Sequence, residues 1–127
     1  MLKTKLAIGI GCKRNTPEND IADALNEVLM IHDFNVENIE ILASVNLKKD
    51  EQGLLELAKT LNKKIIFFES SELNTINVIN KSSFVKKVTG TSSVSEAAAI
   101  KAANGGKLLV PKQKIKNVTI AIAECLD

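Results

Sequence analysis

Apolar and polar positions follow two different periods along this chain, and the switches between them outline its elements. "TKLAIGI", Thr4 to Ile10, is a mostly apolar run of strand length and reads as a buried strand. After it, Ile21, Leu25, Val28, Leu29 and His32 recur every three or four residues, which predicts a helix with one buried face. Asn15 or Thr16 is the expected N-cap of that helix, with Pro17 in its first turn. Ile39 to Val45 reads as a second strand. Glu51 to Leu61 then returns to helical spacing, with Leu54, Leu55, Ala58 and Leu61 inward and Asp50 placed to cap it. "KIIFFE", Lys64 to Glu69, is a third strand. A βαβαβ alternation of this kind predicts a largely parallel sheet covered by helices on both faces.

The rhythm changes beyond Glu69. Short helical pieces are expected around Ser71 to Ile76 and Ser83 to Val88, leading to Gly90. "SVSE", Ser93 to Glu96, has the spacing of a capping box and opens an alanine-rich helix that runs to about Ala103, where Asn104, Gly105 and Gly106 stop it. Lys107 to Pro111 and Val118 to Ala123 read as two strands separated by the polar segment Lys112 to Asn117, a spacing that favours an antiparallel hairpin. The expected fold class is therefore α/β: a three-layer α/β/α arrangement around a mixed, mostly parallel sheet of about five strands, the last two forming the hairpin.

Composition narrows what such a domain does. With 127 residues the chain is the size of one domain, and residues 1–127 are read as a single unit without repeats or linkers. Lysine and arginine exceed aspartate and glutamate by 17 − 15 = 2, and the chain has no Trp, no Tyr and four Phe. It lacks both the basic excess and the stacking platforms of a nucleic-acid binder. No apolar run reaches the length of a membrane span, and the start has no signal-peptide core. Cys12 and Cys125 form neither a C-x-x-C pair nor a zinc pattern with histidine, so reduced thiols and a cytoplasmic setting are expected.

Loops that follow parallel strands collect at one edge of a sheet, where α/β proteins bind ligands. Here that edge gathers Gly9 to Thr16, Ser44 to Asp50 and the turn after Glu69, and Gly90 to Ser93 is able to join them. "GIGCKR" contains Gly9-x-Gly11, but Arg14 stands where a dinucleotide fingerprint needs its third glycine, and no phosphate-loop motif occurs. A generic nucleotide site is thus weakly supported, and a turn needing glycine's backbone freedom is the plain alternative. Lys13 and Arg14 are candidate anion ligands beside a helix N-terminus, or merely solvated charges. "KLLVPKQKIKN" carries Lys107, Lys112, Lys114 and Lys116 without an acid and is either a solvated hairpin tip or a carboxylate-binding tip. Gly90, Thr91 and Ser92 offer amides and hydroxyls to a carboxylate. Glu96 is a candidate base that already has a capping role. His32 fits a packed or C-capping imidazole better than a metal ligand, and no metal site is expected. Cys12 lies near a helix start and two cations, surroundings that lower a thiol pKa, yet no oriented base accompanies it.

Taken together, "GIGCKRNTP", "ASVNLKKDEQGLLELAK" and "SSFVKKVTGTSSVSEAAAIKAANGGKLLVPKQKIKNVTIAIA" resemble the C-terminal domain of the cobalamin-biosynthesis protein CbiG and its stand-alone relative CobE. The likeness covers about Lys5 to Ala123. It implies a three-layer α/β domain of the corrin pathway, whose full-length hydrolase members open a lactone on the macrocycle with water and release acetaldehyde. It implies no cofactor, since cobalt enters only as part of the corrinoid substrate, a cobalt-precorrin or precorrin. It also implies further N-terminal domains as partners, because this chain matches only the C-terminal third of such a protein. The motif positions it carries over are Gly9, Gly11, Cys12, Lys13, Arg14, Lys48, Glu51, Glu96, Lys112, Gln113, Lys114 and Asn117. Asn46 stands where many relatives have Asp, Gln52 where they often have Pro, and Ser95 where they often have Cys or Ala.

A macrocycle with acetate and propionate arms needs an apolar bed rimmed by cations and amides. The expected substrate contacts are Gly11, Cys12, Lys13, Arg14, Ser44, Lys48, Gly90, Thr91, Ser92, Lys112, Gln113, Lys114 and Asn117. Asp50, Glu51 and Glu96 are the candidate general bases for delivering water to the lactone, with Lys or Arg stabilising the oxyanion. The alternative is a noncatalytic module that holds or hands on corrin intermediates.

Overall fold

The computed structural model of the chain describes residues 4–74, 77–79, 85–87 and 94–126. Its main sheet is built from β1 (Leu6–Cys12), β2 (Ile39–Val45), β3 (Lys64–Phe68), β6 (Leu108–Ile115) and β7 (Val118–Glu124), in the order β3-β2-β1-β7-β6. β1, β2 and β3 pair in parallel, while β7 runs antiparallel to both β1 and β6. Four of the five strands therefore point the same way, and the sheet is mixed, as the sequence predicts. Parallel neighbours need a crossover. Helix α1 (Glu18–Ile31) supplies it between β1 and β2, and α2 (Gln52–Leu61) between β2 and β3. Helix α4 (Val94–Ala102) covers the other face, against β1, β2 and β7. Among the described residues no helix is long and apolar enough to cross a membrane.

Alternation along the central strands sorts side chains by size. Leu6, Ile8 and Ile10 of β1, with Val118, Ile120 and Ile122 of β7, pack under α1 and α2 in the larger core. Ala7 of β1 and Ala121 and Ala123 of β7 face α4, which answers with Ala99 and, just beyond its end, Ala103. Gly9 belongs to this thin face. A Cβ there would lie 1.8 Å from the Ser95 carbonyl oxygen and 2.9 Å from the Ala99 nitrogen, so the helix backbone rests directly on the strand. Glycine is required at this position by close approach of α4, rather than by the turn that the sequence suggested.

Local expectations are corrected in several places. α1 starts after Pro17, which occupies the N-cap position in extended conformation without a side-chain cap bond. Asn15 takes a left-handed φ of 65°, and the Thr16 hydroxyl donates to the Lys13 carbonyl at 2.6 Å instead of capping. The helix end is served by Glu18 and Asp20, whose charges suit the N-terminal dipole. α2 has Glu51 at its N-cap position, again without a side-chain cap bond, because Asp50 and Glu51 both face Arg14. Leu57 is buried where Leu55 was expected to be, and Leu55 is exposed. The first short helix is α3 (Ser70–Leu73), but the second expected helical piece contains a strand. β5 (Val85–Lys87) pairs antiparallel with β4 (Asn77–Ile79) in a small separate sheet.

The hairpin is tighter than expected. β6 does not stop at Pro111 but continues to Ile115, leaving Lys116 and Asn117 as the turn, with Lys116 at a left-handed φ of 56°. Lys112 and Lys114 thus sit on a strand. At the end of α4, Asn104 and Gly105 do take left-handed φ values of 59° and 84°, and the Gly105 amide donates to the Ile100 carbonyl, as the stop signal predicts.

Candidate functional site

β1 ends at Cys12, at the edge where the parallel strands have their C-termini. The Lys13 amide donates to the Asn117 carbonyl at 3.1 Å, which fastens the hairpin turn to the start of the β1–α1 loop. Two clefts flank that loop, and their charge is organised in opposite ways.

The first, of about 460 Å³, has an apolar bed made by Val45 at the end of β2, Val94 at the start of α4, and Gly11 and Cys12 of β1. Around it stand four lysines, Lys13 and Lys48 from the loops and Lys112 and Lys114 from β6, together with Asn117 and Thr119. No carboxylate lines it among the described residues. A volume in this range suits a small-molecule ligand, and ammonium groups around an apolar floor suit one that is flat, greasy in the middle and acidic at its edges. The start of α4 adds the positive end of a helix dipole.

The second cleft, of about 520 Å³, lies on the other side of the loop, between Arg14 to Glu18 and Asp50 to Glu56. Arg14 donates to Glu51 Oε1 at 2.6 Å and approaches Asp50 Oδ2 at 3.3 Å, while the Asn15 amide donates to Glu51 Oε2 at 3.0 Å. Gly53 lets α2 start against this loop, since a Cβ there would lie 2.4 Å from the Thr16 carbonyl oxygen. The Arg14 hydrogen bond holds the Asp50 carboxyl below the ordinary carboxylate range. Arg14, Asp50 and Glu51 therefore form a latch between two loops. Arg14's charge is balanced where it stands, rather than presented to the lysine cleft.

Of the expected substrate contacts, Gly11, Cys12, Lys13, Lys48, Lys112, Lys114 and Asn117 meet around the first cleft. Ser44 does not reach it. Its side chain is fully buried and its hydroxyl donates to the Ile10 carbonyl at 2.7 Å, tying β2 to β1. Gln113 turns away on the strand and donates to the carbonyls of Pro111 and Lys112. Gly90, Thr91, Ser92 and the Ser93 part of the capping box lie outside the described residues. Glu96 is buried just below the cleft, where its Oε2 accepts the Lys112 amide at 3.1 Å. Asn46, where an acid was considered, donates to Glu69 Oε1 at 2.8 Å.

Cys12 reverses its expectation. It is the half-buried last residue of β1, and burial pushes its thiol pKa up, with Lys48 opposing and Glu51 reinforcing the shift. Desolvation outweighs the nearby cation. His32 is exposed at the C-terminal end of α1, which returns antiparallel to β1 and so ends far from the cleft. Among the described residues no three His, Cys, Asp or Glu side chains are grouped to hold a metal ion. Sequence reasoning missed Val45, Val94 and Thr119 as cleft residues. Thr119 was findable as the one polar position in "VTIAIA", opposite Lys114 in the hairpin.

Compared with known proteins, the chain matches the family described as Cobalamin synthesis G C-terminus over residues 6–123. It is 37% identical over 118 residues to the cobalt-precorrin-5A hydrolase of Priestia megaterium, an alignment covering 93% of this chain and 32% of that protein. It spans 32% to 40% of the length of the three curated relatives whose names include that hydrolase. Among solved structures, CobE, a protein from the cobalamin (vitamin B12) biosynthetic pathway, superposes with a TM-score of 0.80 at 30% identity, covering 98% of this chain and 93% of CobE. The cobalamin biosynthesis protein chiG from Agrobacterium tumefaciens gives 0.77 at 31% identity, covering 96% and 99% respectively.

Proposed function

The chain belongs to the Cobalamin synthesis G C-terminus family and so serves cobalamin biosynthesis, and from that premise we propose that its lysine-rimmed cleft binds a polycarboxylate tetrapyrrole of the pathway. The observation that carries this reading is the convergence of Lys13, Lys48, Lys112 and Lys114 on an apolar bed with no acidic lining residue among the described residues. The acetate and propionate arms take the ammonium groups, and the macrocycle lies over Val45 and Val94.

In the longer hydrolases this domain supplies the grip on the substrate, and the rest of the protein supplies the further domains. The candidate bases support a binding role better than a catalytic one. Asp50 and Glu51 are engaged by Arg14 on the far side of the loop, and the Glu96 carboxylate is engaged by a backbone amide. The match over nearly the full length of CobE and chiG favours a second reading, a stand-alone module that holds corrin intermediates without turnover.

Titration with uroporphyrin, a stable octacarboxylate tetrapyrrole, followed by its absorbance, tests the shared premise. Saturable binding that weakens as salt screens the lysines is expected; absence of binding, or indifference to salt, removes the cleft as the site. Incubation with the lactone substrate and an acetaldehyde assay then separates the readings. Product from the isolated chain assigns it the hydrolytic step, and tight binding without product leaves it the grip alone.

A further inference from the structure

We propose that Glu96 is a positioning residue that holds a bulge in β6 and thereby decides that Lys112 and Lys114 face the cleft; this inference rests on the binding role proposed above. The register of the hairpin carries it. Val110 pairs with Ile122 and Gln113 with Ile120, so three steps along β6 are matched by two along β7, and the register shift falls at Pro111 and Lys112. Val110 and Ile122 both pack in the core beneath α1 and α2. In a strand of strict period two, Lys112 and Lys114 would share that face with Val110. The extra residue reverses the alternation: Gln113 and Ile115 fall opposite Ile120 and Val118 of the large core, and Lys112 and Lys114 turn to the cleft beside Val94 and Thr119.

A bulge leaves the amide of its extra residue without a ladder acceptor. At Lys112 that amide donates to Glu96 Oε2 at 3.1 Å, from a carboxylate only 7% exposed on the helix that closes the cleft. Proline at 111 has no amide to offer the ladder, so the irregularity falls where it removes the fewest bonds. Glu96 is thus used as an acceptor, and its acid–base chemistry is not required.

The test uses the full chain in four forms: native, Glu96→Gln, Glu96→Ala, and a deletion of Pro111 that removes the extra residue between Val110 and Gln113. Uroporphyrin affinity and amide hydrogen exchange at Lys112 are read on each. Glutamine keeps an acceptor oxygen, so Glu96→Gln is expected to bind within about threefold of native and to keep the Lys112 amide protected. Glu96→Ala is expected to expose that amide while the β1–β2 amides stay protected, and to bind at least tenfold more weakly with a shallower dependence on salt. With Pro111 deleted, Lys112 follows Val110 directly, so Lys112 and Lys114 face the cleft without a bulge, and this form is expected to bind within about threefold of native; a loss as large as that of Glu96→Ala would overturn the proposal. Equal losses in Glu96→Gln and Glu96→Ala would overturn the proposal, because the charge itself would then be what matters. Unchanged exchange at Lys112 in Glu96→Ala would overturn it too. If the native chain does not bind uroporphyrin, the binding reading fails on its own, and the exchange measurements still decide whether Glu96 holds the bulge.

Discussion

The two faces of the central sheet are built on different scales. Under α1 and α2 the strands present leucine and isoleucine, and a thick apolar layer separates helix from sheet. Under α4 they present alanine and glycine, and the helix backbone lies against Gly9. The thick face supplies most of the apolar burial that stabilises the domain. The thin face contributes less of it but fixes position closely, because a helix seated backbone to backbone has little freedom to slide. That seating brings Val94 to the cleft and Glu96 to the hairpin. Bulk serves stability on one side, and its absence serves the site on the other.

Adjacent residues of β7 expose this difference most strongly. Ile120→Ala, on the thick face, is expected to cost about 2–5 kcal/mol in equilibrium urea unfolding, through lost transfer energy and the cavity left behind. Ala121→Leu, one residue away, is expected to cost about 1–3 kcal/mol for the opposite reason, overpacking against α4. Gly9→Ala belongs at the upper end of that second range, since its new methyl meets a backbone carbonyl that cannot rotate aside. A neutral Ala121→Leu would mean the thin face is loosely packed, and the comparison would break there.

The two clefts beside the β1–α1 loop sharpen it. Lys114→Glu places an acid on the rim of the lysine-rimmed cleft and is expected to weaken uroporphyrin binding about tenfold or more while leaving the urea midpoint close to native. Arg14→Ala should do the reverse. It strips the buried Glu51 carboxylate of its cation, so the midpoint falls, while the affinity stays within about twofold. Should Arg14→Ala weaken binding as much as Lys114→Glu, the latch and the binding cleft are one site.

Smaller effects concern protons. Alkylation of Cys12 by iodoacetamide is expected to have its pH midpoint above the ordinary thiol value of about 8.5, because burial disfavours the thiolate. A midpoint below that value would mean Lys48 prevails over desolvation. Asp50 has its pKa lowered in the folded chain, chiefly by Arg14. Its contribution to stability is therefore complete above the unfolded carboxylate value of about 4 and is lost as pH falls through the lower folded value. Arg14→Ala should remove that small part of the acid dependence, seen by comparing urea midpoints between pH 5 and pH 2.

Much of this architecture is local in origin and was legible in the sequence. Helical and strand periods depend on neighbours a few residues apart, which is why β1, α1, β2, α2 and β3 and their order follow from the positions of Ile21, Leu25, Val28 and their like. Two features fail that rule. "FVKK" has no period long enough to tell a short strand from a helical turn, so β5 was misassigned. The first strand of the hairpin is read as ending at Pro111, although a proline within a strand is also a mark of a bulge.

By itself the sequence determined the α/β class, the alternation of large and small residues in β1 and β7, and the collection of basic residues at one sheet edge, because each depends on spacing along the chain. Only the tertiary structure decided which of those charges are available. Arg14 meets Glu51 across 37 residues and Lys112 meets Glu96 across 16. Contacts at such separations are set by how helices seat on a sheet, which no local period records.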